Sequence, residues 1–176
     1  IYAEAAERMD DVMLAHGHHL VYGGGSVGLM GVAAKRILDG GGKVTGVIPS
    51  FLAVEEVLLK ECTELIEVES MHVRKQTMIE RSELIIALAG GYGTMDELFE
   101  AITWLQLGLH NRSIGLLNTN GFFDPLVAQL DKMLEEGFLS QSNRELIYVD
   151  EDPAQLLKHL LARASSGVSS KFERRS

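Results

Sequence analysis

The chain has 176 residues, 46% hydrophobic and 23% charged, with 16 Lys and Arg against 25 Asp and Glu. At about 150 residues per domain this is one domain with enough apolar material for a packed core, which excludes wholesale disorder. The formal net charge of −9 excludes a general binder of nucleic-acid polymers, whose phosphates need neutralising cations. One cysteine, Cys62, leaves no internal disulfide and no multi-cysteine metal site. No uncharged run is long enough to span a membrane, and the acidic opening Ile1-Tyr2-Ala3-Glu4 is unlike a signal peptide. The expectation is a cytoplasmic protein with a small-molecule partner, no membrane and no nucleic acid.

In chain order, Ala5, Ala6, Met9, Val12 and Met13 predict a helix up to His16-Gly17. His19-Leu20-Val21-Tyr22 reads as a strand running into Gly23-Gly24-Gly25. Leu29 to Leu38 is helical, stopped by Gly40-Gly41-Gly42. Lys43 to Ile48 is a strand closed by Pro49, and Glu64 to Val68 is a further short strand. Met71 to Ser82 is helical, with Met71, Met78 and Ile79 inward and Arg74, Lys75, Glu80 and Arg81 on the polar side. Leu84 to Leu88 is a continuous apolar run, the pattern of a parallel strand buried on both faces. Gly90 to Thr94 is a tight turn, and a long helix follows to about His110. Ile114 to Leu117 is a strand, Phe123 to Glu136 a helix, Glu145 to Val149 a strand and Pro153 to Ala164 a helix, with Pro153 in its first turn. The Ser-rich, basic stretch 165–176 reads as a disordered tail.

Strand and helix alternate throughout, which predicts an α/β fold: a Rossmann-like, doubly wound parallel sheet in one domain over residues 1–164. Such a sheet needs a strand before the first helix, with a small-residue loop after it. That first strand is expected in the natural protein and is missing here.

Two glycine loops carry the chemistry. Gly23-Gly24-Gly25-Ser26-Val27-Gly28 fits G-x-G-x-x-G, but the next strand ends in Pro49-Ser50 with no acid to hold a ribose, which weakens a dinucleotide reading. A plain tight turn, or a loop approaching phosphate or sugar oxygens through the backbone of Gly24, Gly25 and Ser26, are the other readings. Gly90-Gly91-Tyr92-Gly93-Thr94-Met95-Asp96-Glu97 follows the most apolar strand and opens the longest helix. That is where ligands sit in α/β sheets, and free amides with a helix dipole favour an anion. The G-K-[ST] ending of a Walker loop is absent.

Glu97 has two readings that need not exclude each other. Thr94-x-x-Glu97 fits a capping box, and a carboxylate beside a phosphate cradle also suits the sugar of a nucleotide. Arg74 and Lys75 are either a solvated helix face or a phosphate-binding pair, since the Arg fork matches phosphate. His72 reads as a cap or packing residue, because no second metal ligand stands at useful spacing. A pyridoxal-phosphate decarboxylase needs a Schiff-base lysine with an acidic partner for the pyridine nitrogen, and Lys35, Lys43, Lys60 and Lys75 show no such setting.

Three stretches in order resemble one family: Tyr22-Gly23-Gly24-Gly25-Ser26-Val27-Gly28-Leu29-Met30-Gly31, Met71-His72-x-Arg74-Lys75 and Gly90-Gly91-Tyr92-Gly93-Thr94-x-x-Glu97. The likeness continues through Thr103-Trp104-x-Gln106-Leu107-Gly108, Gly115-Leu116-Leu117-Asn118 and Gly121-Phe122, up to about Ala164. The family is the Lonely Guy (LOG) group of cytokinin riboside 5′-monophosphate phosphoribohydrolases, long mislabelled as lysine decarboxylases. The resemblance implies a Rossmann-like fold and hydrolysis of the N-glycosidic bond of a nucleoside 5′-monophosphate, with no metal or organic cofactor. It leaves open adenine or N6-modified adenine as the base. By position it implies Arg74 and Glu97 as the catalytic pair. It implies Arg74, Lys75, the loop from Gly90 through Gly91, Tyr92, Gly93 and Thr94 to Glu97, Thr103 and Glu56 as substrate-binding residues. Ala89 stands where the family has Pro, and the family's first strand and Cys-Gly-Ser-type loop are missing. A non-catalytic nucleotide-binding module of the same fold is the alternative. The resemblance also implies a homodimer. The stripe Leu98, Ile102, Leu105 and Leu109, with Ala101, Trp104 and Leu107-Gly108 on other faces, makes the long helix apolar on more than one side.

Overall fold

A computed structural model of the chain describes residues 1–53 and 58–166. The chain divides into two compact units, Ile1–Ser82 and Glu83–Ser176. Each is built on the parallel α/β plan that the alternating pattern predicts. Among the described residues, no helix is long and apolar enough to cross a membrane.

The first unit runs α1 (Tyr2–Ala15), β1 (Leu20–Tyr22), α2 (Gly28–Asp39), β2 (Val44–Pro49), β3 (Glu64–Val68) and α3 (Met71–Arg81). Its strands form a parallel sheet in the order β1-β2-β3, with Tyr22 opposite Gly46 and Val47 opposite Ile66. Parallel neighbours need a crossover, and α2 supplies the one between β1 and β2. Tyr22, Ala34, Ile37, Val44 and Leu59 form a buried cluster, with Met13, Leu14, Leu20, Leu38 and Cys62 packed against it.

The second unit runs β4 (Leu84–Ala87), α4 (Tyr92–Gln106), β5 (Ser113–Leu117), α5 (Asp124–Glu135), α6 (Gln141–Arg144), β6 (Ile147–Asp150) and α7 (Pro153–Ser166). Its sheet is also parallel, in the order β4-β5-β6. Helix α7 lies close on β5: a Cβ on Gly115 would stand 2.8 Å from Cδ1 of both Leu156 and Leu160.

Several expectations move. The strand buried throughout is β5, all five residues of it, whereas β4 is mostly half-buried. The apolar run of β4 is the longer, but β5 is the middle strand of the three, with a neighbour on each side and α7 over it. Helix α4 stops at Gln106 rather than near His110. Gly108, at φ 72°, donates to Leu105 O while Leu109 donates to Trp104 O, a Schellman closure that only glycine adopts without strain. Leu109 therefore falls outside the apolar stripe and is 66% exposed; the buried stripe is Leu98, Ala101 and Leu105. Helix α7 includes Ser165 and Ser166, which were expected in the tail; residues 167–176, the rest of that expectation, lie outside the described residues. The short helix α6, capped by Ser140, was not expected from the sequence, being only one turn long.

Candidate active site

In the first unit, the loop after β1 lies directly on β2. Gly24 has φ 77°, and a Cβ on Gly46 would stand 3.0 Å from Gly24 Cα. Two small residues thus let two backbones meet. The carbonyls of Gly23 and Gly24 are taken up by the protein. Leu59 N donates to Gly24 O at 3.0 Å, and Gly25 pairs with Leu58 in an isolated antiparallel bridge. Gly31, in the first turn of α2, would place a Cβ 2.0 Å from Ser26 O, so the helix packs on the loop only because that residue is glycine. Below the loop, the buried Tyr22 hydroxyl lies 3.6 Å from Cys62 Sγ. Burial first, then the hydrogen bond to Cys62, raises the phenol well above its ordinary range, so it stays protonated.

Arg74 is not part of a solvated face. From α3 its Nε donates to Val47 O at 3.1 Å and its Nη2 to Gly23 O at 2.9 Å, while Nη1 points to Met71 Sδ at 3.8 Å. Lys75 is only 7% exposed. The amphipathic pattern failed here because α3 packs beside β2, where Arg74 reaches the carbonyl of Val47. His72 is exposed and is not the cap: Ser70 caps α3, accepting from Val73 N at 3.2 Å. A Ser one residue before the first helical position was the signal for it.

In the second unit, the Gly90 loop leaves the carboxyl end of β4 and opens α4 one residue after Gly91, the N-cap residue, in extended conformation with no side-chain cap. Thr94 is therefore the third residue inside α4. Its side chain folds back over Gly90, where a Cβ would meet Thr94 Oγ1 at 2.1 Å. The capping box expected of Thr94 and Glu97 does not form, because the helix starts too early for Thr94 to be its cap. The first helical bond recorded across this turn is Met95 N to Gly91 O, at 3.2 Å. The amides of Tyr92, Gly93 and Thr94 precede that bond and are helix-end donors of the kind that meets an anion. Tyr92 is 96% exposed at this mouth, and Glu97 is half-buried one turn on.

Thr103 is exposed, and its hydroxyl donates back to Phe99 O at 2.7 Å. With Met95, Asp96, Phe99, Glu100 and Trp104 it lines a groove of about 420 Å³ along α4. Glu56 lies outside the described residues. Sequence reading missed Leu59, whose amide secures the first loop, and Gly46 beneath it. An isolated glycine inside a strand was the available signal for the second; nothing local marked Leu59. Among the described residues, no group of three or more His, Cys, Asp or Glu could hold a metal ion.

The family described as "Possible lysine decarboxylase" matches residues 30–160. A probable cytokinin riboside 5′-monophosphate phosphoribohydrolase of Oryza sativa subsp. japonica, LOGL1, is 45% identical over 160 residues, covering 91% of this chain and 72% of the relative. The chain belongs to the LOG family. The cytokinin riboside 5′-monophosphate phosphoribohydrolase LOG2 of Arabidopsis thaliana is likewise 45% identical over 159 residues, or 90% of this chain and 75% of the relative. Among solved structures, the molybdenum cofactor binding protein of Rippkaea orientalis shares the fold at a TM-score of 0.69 and 17% identity, over 92% of this chain and 86% of that one. The molybdenum cofactor carrier protein of Chlamydomonas reinhardtii does so at 0.66 and 24%, over 92% and 88%. At these identities the likeness speaks for the LOG chain's fold and not for its ligand.

Proposed function

We propose that this chain hydrolyses the N-glycosidic bond of a cytokinin riboside 5′-monophosphate, or of AMP, to the free base and ribose 5-phosphate. The observation that carries the reading is 45% identity across nine-tenths of the chain to relatives named for that activity. The match from residue 30 to residue 160 supports treating residues 1–164 as one hydrolase domain.

Breaking this bond builds positive charge on the sugar, as in other glycoside hydrolysis. The helix-end amides from Gly90 to Thr94 suit the 5′-phosphate. Holding the phosphate there converts remote binding into positioning at the anomeric carbon. Glu97 supplies the negative charge that stabilises the sugar cation or orients the attacking water. Gly24, Gly25 and Ser26 offer backbone donors to the nucleotide. Arg74 is the second member of the pair that the family likeness assigns to the reaction, with Lys75, Thr103 and Glu56 as further binding positions. No metal or organic cofactor enters the scheme.

The same reading makes the protein a homodimer. Helix α4 buries Leu98, Ala101 and Leu105 on one side, while Phe99 on another face and Leu107 and Leu109 just beyond the helix end are exposed. A second copy would cover that apolar surface. One cysteine and no disulfide partner suit a reducing compartment, the cytoplasm.

The test is direct. The protein is incubated with AMP and with an N6-prenylated AMP, and free base and ribose 5-phosphate are assayed together. Release of both in equal amounts is expected. Binding without release would favour the non-catalytic module. Cadaverine and carbon dioxide from lysine would overturn both readings.

A further inference from the structure

The connection from α4 to β5 is pinned by one side chain, His110. Helix α4 closes on the backbone bonds of Gly108 and Leu109, and β5 starts at Ser113. Between them the Arg112 amide donates to His110 Nδ1 at 3.0 Å. A backbone N–H can only donate, so Nδ1 is the unprotonated nitrogen and the ring proton sits on Nε2. Nε2 in turn donates to Ala101 O, on α4, at 2.8 Å. The neutral ring is thus acceptor and donor at once, and it ties the entry of β5 to the last turns of α4. No other state of the ring makes both bonds. Imidazolium carries a proton on each nitrogen and would set an N–H against the N–H of Arg112.

The surroundings hold the ring neutral. His110 is half-buried. Burial lowers its pKa below the ordinary 6.5; the bond to Ala101 O opposes this, and the Arg112 guanidinium lowers it further. Helix α4 therefore presents a carbonyl to the ring, and the entry of β5 presents a cation. That cation is buried at Nε with no hydrogen-bond partner there among the described residues, so a second positive charge beside it is disfavoured. An open turn leaves the imidazole at its ordinary 6.5, and a closed one holds it lower. Closure is complete above the ordinary value and is lost as the pH falls through the closed one. Leu107 and Leu109, both exposed, lie on the same short connection.

We propose that His110 is an acid-sensitive latch: while neutral it closes the connection 107–112, and once protonated it frees that connection and loosens the pairing of two copies through Leu107 and Leu109. The pairing half rests on the dimer reading above, and the latch half rests on the turn alone.

The experiment compares wild type with His110→Asn and His110→Ala. An Asn oxygen at this position accepts from the amide two residues on, as in an Asx-turn, and does not titrate. Amide exchange at Arg112, corrected for its intrinsic pH dependence, is followed from about pH 7.5 to about pH 4, with Ile114 and Leu116 in β5 as internal controls. The His110 ring is titrated by NMR in the same samples. Wild-type protection at Arg112 should fall on acidification, about tenfold for each pH unit by which the ring titrates below its ordinary value, while the β5 amides hold. His110→Asn should keep its Arg112 protection throughout, and His110→Ala should lack it throughout. An equal fall in His110→Asn, a wild-type fall shared with β5, or a ring that titrates at its ordinary value would each overturn the latch. Sedimentation over the same range reads the pairing: the wild-type dimer should weaken in acid, and the His110→Asn dimer should weaken less. Equal weakening of both would overturn the pairing half. A wild type that is monomeric at neutral pH fails the dimer reading itself, and the Arg112 amide still decides the latch.

Discussion

Asp10 should make the protein lose stability as the pH rises from about 4 to about 7. It stands on the inner side of α1 beside Ala5, Ala6 and Met9, only 2% exposed, and its Oδ2 has no hydrogen-bond partner. Burial, then the neighbouring charge of Asp11, push its carboxyl from 3.8 up to about 7; Arg36 opposes this, and Glu7 adds a smaller push upward. Arg36 is engaged elsewhere, with Nη2 2.7 Å from Asp11 Oδ1. The folded chain thus keeps the Asp10 proton up to about pH 7, while the unfolded chain releases it near 3.8. Between those values the unfolded state binds fewer protons, so stability falls with rising pH and the loss is complete above the folded value. Some three units at 1.36 kcal/mol each give a ceiling of about 4 kcal/mol. Asp10→Asn removes the charge and keeps the shape, but leaves a buried amide that costs about 1–3 kcal/mol if unpaired. The variant should therefore be more stable than wild type by about 1–3 kcal/mol at pH 8, with no advantage at pH 4, where both side chains are neutral. Thermal or urea unfolding of both proteins at steps from pH 4 to pH 9 reads the difference. A gap between the two that does not change with pH would refute the reasoning.

Two further outcomes follow from the proposed site. Glu97→Gln should slow base release roughly 10²–10³-fold, about 3–4 kcal/mol of transition-state stabilisation. Its melting temperature should move by no more than about 4 °C, since the residue is not part of a cap. Wild-type turnover in this variant would sink the catalytic assignment. Light scattering at micromolar concentration should return twice the 19.3 kDa chain mass; a monomer would remove the dimer from the proposal, and Phe99→Glu should weaken the dimer if α4 forms its contact.

The order and type of the main elements were legible in the sequence because they rest on local signals. Alternating apolar runs separated by glycines gave β1, α2, β2, β3 and α3 in place, and parallel strands followed from the helices between them. The two glycine loops were placed at the carboxyl ends of β1 and β4 for the same reason. Helix ends were less legible. Gly91 took the N-cap that Thr94 was expected to hold, and Gly108 closed α4 four residues early, because a cap is decided by which orphan groups find partners, and several candidates stood close together.

What residue pattern could not decide was burial and partnership across the fold. Arg74 and Lys75 read as polar positions on a helix, yet one clamps carbonyls 51 and 27 residues away and the other is buried. The more apolar run became the half-buried strand β4 while β5, with a glycine at its centre, became the buried one. Asp10 went inward beside Ala6 and Met9, an acid that the sequence pattern did not single out. In each case the residue type was fixed by the sequence, but its free energy depends on which distant segment covers it. Hydrogen-bond acceptors and excluded water come from neighbours in space, and only the tertiary structure supplies them.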